Sequence, residues 1–122
     1  MDSTENNYLE QLISLYHSGK FEEVILYAKD FLSRHEKNGT AWNLLALAHQ
    51  QLGNVNESKR ILEWLLSQKP DNPIWLNNLG NTLHSLGHLQ NATLYFKRAI
   101  QIEPLLFESI KGLGLVLSLI HI

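Results

Sequence analysis

A chain of 122 residues, 44% hydrophobic and 18% charged, has room for one small domain and the composition of a folded rather than a disordered protein. Its net charge of −2, with few and scattered Lys and Arg, gives no electrostatic case for nucleic acid or an anionic membrane surface. The absence of cysteine excludes a disulfide framework and a thiol nucleophile.

The N-terminus, Met1-Asp2-Ser3-Thr4-Glu5-Asn6, is acidic and polar, without the basic start and apolar core of a signal peptide. A cytoplasmic location is the expectation. Three sequons, at Asn38, Asn56 and Asn91, are therefore read as coincidental. A first helix is predicted over 4–18, with Asp2 or Ser3 able to cap it, and a second over 21–34, with Gly19 turning the chain between them. The next pair is predicted over 40–52 and from Asn54–Asn56 to just before Pro70, about Gly53. The stretch Pro70-Asp71-Asn72-Pro73 is a breaker followed by turn residues, and Pro73 can open the following helix. That helix is predicted over 74–86, followed by Gly87 and a helix reaching 103, before Pro104. One further helix is predicted from Phe107 onward.

These elements repeat with a period of 34 residues, seen at Gly19, Gly53 and Gly87, at Leu45 and Leu79, at Asn43 and Asn77, and at Pro70 and Pro104. A fixed period of that length means one unit copied and stacked. The apolar spacing is helical: Phe21, Val24, Ala28, Phe31 and Leu32 form one stripe. The same columns hold Val55, Ser58, Leu62, Leu65 and Leu66, then Leu89, Ala92, Phe96, Ala99 and Ile100. One helix pair cannot bury such a stripe alone, so stacking closes the core. No stretch alternates with period two, and no apolar run is long enough to span a bilayer.

The pattern resembles the tetratricopeptide repeat. The third unit carries Leu76, Leu79-Gly80, Leu83, Gly87, Ala92, Phe96, Ala99 and Pro104 in the family's columns. The second keeps Trp42, Leu45-Ala46, Gly53, Leu65 and Pro70, with Ser58 in the small-residue column. The first departs most, with Gln11-Leu12 for Leu-Gly and Glu36 for Pro. The resemblance implies an all-α solenoid of stacked antiparallel helix pairs. It makes 1–122 a single domain with repeats at about 5–38, 39–72 and 73–106 and a partial one at 107–122. Small residues let paired helices approach closely. Leu12 and Val24 stand where the third unit has Gly80 and Ala92, so the first pair is expected to splay slightly.

The final string, Leu117-Ser118-Leu119-Ile120-His121-Ile122, resembles the conceptual translation of a transposase-end adapter used in sequencing libraries. It is read as foreign, which makes the chain the N-terminal fragment of a longer protein.

In the resembling family, the first helices of successive repeats line a peptide-binding groove. Carried over, that places Asn6, Leu9, Ile13 and Tyr16 in the groove from the first unit, and Thr40, Asn43, Leu47 and Gln50 from the second. The third contributes Asn77, Asn81 and His84, and Lys111 closes the far end. Amide side chains both donate and accept, so they can hold an extended peptide backbone whatever its side chains. Family members that clamp acidic chaperone tails place Lys, Arg and Asn at set groove positions. Here the starting ones hold Leu9 and Ile13, or Asn43 and Leu47, and the far end holds Glu108 and Gly112, so the basic residues are missing and that clamp is not expected. Asn77-Asn78-Leu79-Gly80-Asn81 resembles one rung of the asparagine ladder of O-GlcNAc transferases, but Glu10, Leu44, Ile13 and Leu47 interrupt it.

The expectation is a protein or peptide partner in that groove, with no nucleic acid, membrane, cofactor or metal. The alternative is the substrate-recruiting arm of a larger glycosyltransferase or sulfotransferase; self-association through the C-terminal helix is a further reading. No catalytic residue is assigned. His84 and His88 lack a third ligand, and Glu22-Glu23 suits the first turn of a helix. Trp64 is read either as an exposed anchor or as packing on Trp75.

Overall fold

The computed structural model describes residues 3–105. They form six helices: α1 (Ser3–His17), α2 (Phe21–Leu32), α3 (Gly39–Gln51), α4 (Val55–Gln68), α5 (Pro73–Ser85) and α6 (Leu89–Ile102). Each lies within two residues of its predicted span. The partial fourth repeat, the proposed cap Asp2, and Leu117–Ile122 fall outside what is described, and Ser3 is the first residue of α1 itself. The chain divides within α4 into two compact units, one ending at Ile61 and one beginning at Leu62.

The three tight reversals are built alike. Gly19, Gly53 and Gly87 have φ of 76°, 86° and 83°, a region that only glycine enters without strain. In each, the residue after the glycine reaches back to the last turn: Lys20 N–H to Leu15 O at 3.0 Å, Asn54 N–H to His49 O at 2.8 Å, and His88 N–H to Leu83 O at 2.9 Å. This is the Schellman closure, which satisfies carbonyls that a helix end leaves open. The longer reversals start helices instead. The side-chain oxygens of Asn38 and Asn72 accept from Ala41 N–H (2.9 Å) and Trp75 N–H (3.0 Å), and Pro73 occupies the first helical turn.

In the first unit, Val24, Ala28 and Phe31 are fully buried and Leu32 nearly so, as the stripe predicts. Phe31 sits between the rings of Tyr8 (5.3 Å) and His35 (4.6 Å). The departure at Gln11 has a partner: its side-chain oxygen accepts from the Tyr27 hydroxyl. Asn38 both caps α3 and donates to Glu5 on α1 at 3.0 Å, which joins the start of α1 to the start of α3.

In the second unit, α5 is buried along most of its length, from Trp75 to Leu83. The buried Thr82 hydroxyl donates to Asn78 O at 2.9 Å, so its polar group is satisfied within the helix. Arg98 of α6 donates to Pro70 O at 3.3 Å and lies 3.7 Å from Asp71, tying α6 to the turn before α5. The backbones of α5 and α6 run close together along much of their length. Gly80 packs on the Phe96 ring, whereas the first pair has the larger Leu12 and Val24, both fully buried, where the third has Gly80 and Ala92.

Candidate peptide-binding face

In the first unit, α1 and α3 pack side by side and each offers residues at intervals of three and four, which share a helix face. Asn6 and Thr40 are exposed, Ile13 is 39% exposed, and Tyr16, Asn43, Leu47 and Gln50 are half-buried. Tyr16 is held edge-on to Phe21 at 5.3 Å. Leu9 is only 8% exposed and belongs to the packing beneath the face. What remains open is a patch of apolar side chains flanked by amides, without a lysine or arginine among the described residues assigned to it.

In the second unit, α5 presents Asn81 and His84, both half-buried. The His84 Nε2 is buried and has no hydrogen-bond partner among the described residues. Asn77 shares their column pattern but is 5% exposed, so it contributes to the interior more than to a surface. Lys111 lies outside the described residues. Glu22 and Glu23 occupy the first turn of α2, where the helix dipole favours them. Trp64 is 44% exposed while Trp75 is buried. Among the described residues no group of three or more His, Asp or Glu is placed to hold a metal, and no helix is long and apolar enough to cross a membrane.

A second feature of the first unit went unforeseen. A cavity of about 930 Å³ opens between α2, α3 and the start of α4. Trp42, Leu45 and His49 line it, about 130° around α3 from Asn43, Leu47 and Gln50 by helical geometry. The indole N–H of Trp42 donates to Glu36 O at 2.7 Å, which fixes the ring. The Nδ1 of His49 lies 3.3 Å from the Asn54 amide nitrogen. The signal was present in the period: His49 occupies a column that otherwise holds Leu15 and Leu83.

Burial lowers the pKa of His49 from its ordinary 6.5; Glu57 opposes the shift and Lys29 adds to it. The folded state therefore favours neutral imidazole. Below pH 6.5 the unfolded chain binds more protons, so this group's contribution is complete above 6.5 and falls as pH drops toward its folded value. His49→Leu should accordingly melt with less loss between pH 7 and pH 5 than the parent. Parallel melting curves across that range check it; an unchanged pH dependence would contradict it.

The family comparison agrees with this architecture. A tetratricopeptide repeat profile matches residues 43–105. Among solved structures, the first tetratricopeptide domain of Spaghetti (RPAP3), bound to the HSP90 peptide SRMEEVD, superposes with a TM-score of 0.87 at 17% identity, covering 100% of this chain and 98% of that one. The Sgt2 domain from Aspergillus fumigatus gives 0.89 at 14% identity, with 98% and 81% covered. The Yersinia enterocolitica secretion chaperone SycD, in complex with a peptide of the translocator YopD, gives 0.81 at 14% identity, with 95% and 94% covered. No curated protein matches the sequence. With its all-α fold, its glycine-turned helix pairs and a profile match over more than half its length, the chain belongs to the tetratricopeptide repeat family.

Proposed function

We propose that the chain is a non-catalytic protein-interaction module that takes an extended, largely uncharged segment of a partner protein on the α1/α3 face of its first unit. The observation that carries this reading is the make-up of that face: Ile13, Tyr16 and Leu47 beside Asn43 and Gln50, on helices of a family whose solved members hold peptides. The apolar residues supply burial and the amides can satisfy a peptide backbone. Each hydrogen bond contributes about 0.5–1.5 kcal/mol net, so several together suit a reversible encounter of roughly micromolar affinity. The Spaghetti domain holds a peptide ending in EEVD. A strongly acidic tail would meet no lysine or arginine among the described residues of this face, so its carboxylates would be desolvated without a cation in return.

An array of ten-residue peptides tests the reading. Uncharged peptides with spaced apolar side chains should bind the chain best, and SRMEEVD should bind at least tenfold more weakly. Asn43→Ala combined with Gln50→Ala should weaken the best peptide by about tenfold, two bonds' worth, measured well below the melting temperature of the variant. Asn77 is left intact because its burial would mix a loss of stability into the result. Preference for the acidic tail, or full affinity in the double variant, would overturn the assignment.

A further inference from the structure

The cavity between α2, α3 and the start of α4 has the make-up of a binding site in its own right. Its floor is apolar, formed by the buried Leu32, Leu45 and Ile61, and the fixed indole of Trp42 forms a wall. Its polar lining includes Lys29 from α2, His49 from α3 and Arg60 from α4. One period further along the chain, those three positions hold Glu63, Leu83 and Leu94. Two of these differences, Lys29 for Glu63 and Arg60 for Leu94, make this pocket more positively charged than its repeat, so the charge is particular to this place and not a general property of the fold. A single carboxylate, Glu57, offsets it, paired to Arg60 at 3.2 Å on the exposed rim.

We propose that this cavity is a second recognition site, on a different side of α3 from the α1/α3 face, and that it takes an acidic segment of another protein. A large apolar side chain of that segment lies over the floor against Trp42, and a neighbouring carboxylate sits between Lys29 and Arg60. The charge complementarity selects an acidic occupant, and the apolar floor demands more than a bare anion. A protein segment fits better than a small molecule because the mouth is open. The Arg60 and Glu57 side chains are 75% and 41% exposed, so a small ligand would keep too much of its surface in water.

The probe is the peptide acetyl-Glu-Asp-Leu-Phe-Glu-Asp-amide, titrated calorimetrically into the full chain, with acetyl-Gln-Asn-Leu-Phe-Gln-Asn-amide as its uncharged counterpart. The acidic peptide should bind at least tenfold more tightly and shift the indole N–H resonance of Trp42. Lys29→Glu combined with Arg60→Leu installs residue types that the next repeat carries, so the fold tolerates them; it should abolish the preference with an unchanged melting curve. Leu45→Ala probes the core beneath the site, and an intact charge preference there separates recognition from stability. Equal affinity for the two peptides, binding indifferent to the Lys29/Arg60 pair of substitutions, or shifts confined to Asn43 and Leu47 would overturn the proposal.

Discussion

Gly80→Leu should lower the stability of the second unit by about 1–3 kcal/mol or more, the cost of overpacking a filled core. A Cβ at Gly80 would lie 2.5, 2.7 and 2.9 Å from three atoms of the Phe96 ring. Phe96 has no exposed surface, so the ring has nowhere to swing, and relief must come from spreading α5 and α6. In a domain of this size each kcal/mol is worth roughly 4–8 °C, so calorimetry should register the change plainly. The period supplies its own rescue. Where the third repeat has Gly80 and Phe96, the first has Leu12 and Ala28, both fully buried. Gly80→Leu combined with Phe96→Ala copies that arrangement and should recover part of the loss, a coupling that only neighbouring residues display. Additive losses in the double variant would mean that the two positions do not share one space.

Phe31→Ala carries the second large effect. Phe31 is fully buried between the rings of Tyr8 and His35, and its removal leaves a cavity that the helices cannot close. The expected cost is about 3–5 kcal/mol. Small domains have only about 5–15 kcal/mol in all, so the variant should unfold at a much lower urea concentration. The third repeat carries Ala99 in the same column, so alanine is acceptable to the helix itself, and the loss reports packing rather than propensity. Leu26→Ala, at a position 72% exposed, serves as the contrast and should stay within about 0.5 kcal/mol. A Phe31→Ala variant as stable as Leu26→Ala would contradict the burial described for the first unit.

Much of the fold was legible because the period ties one repeat to another. Glycines at a constant interval marked the reversals, and all three adopt the positive φ that makes glycine necessary there. The apolar columns marked the buried stripes, and even Ser58, an apparent exception, is fully buried in the column of small residues. The candidate face was legible only in outline. Helical phase says which residues share a side, but not how far neighbouring elements cover it. Asn43 and Asn77 repeat in register, yet the first is half-buried and the second 5% exposed. Leu9 shares the phase of Ile13 and lies beneath the surface that Ile13 helps to form. The cavity beside Trp42 leaves a fainter mark in the sequence, because His49, Lys29 and Arg60 stand out only through unlikeness to their own repeat.

The central claim is that the α1/α3 face is the working surface for an uncharged segment. It is tested most directly by titrating the tightest uncharged peptide into the isotopically labelled chain and following each backbone amide resonance. The account predicts saturable shifts at Ile13, Asn43, Leu47 and Gln50, with Leu26 and Leu94 unmoved. Saturable binding that leaves those four amides in place would contradict it.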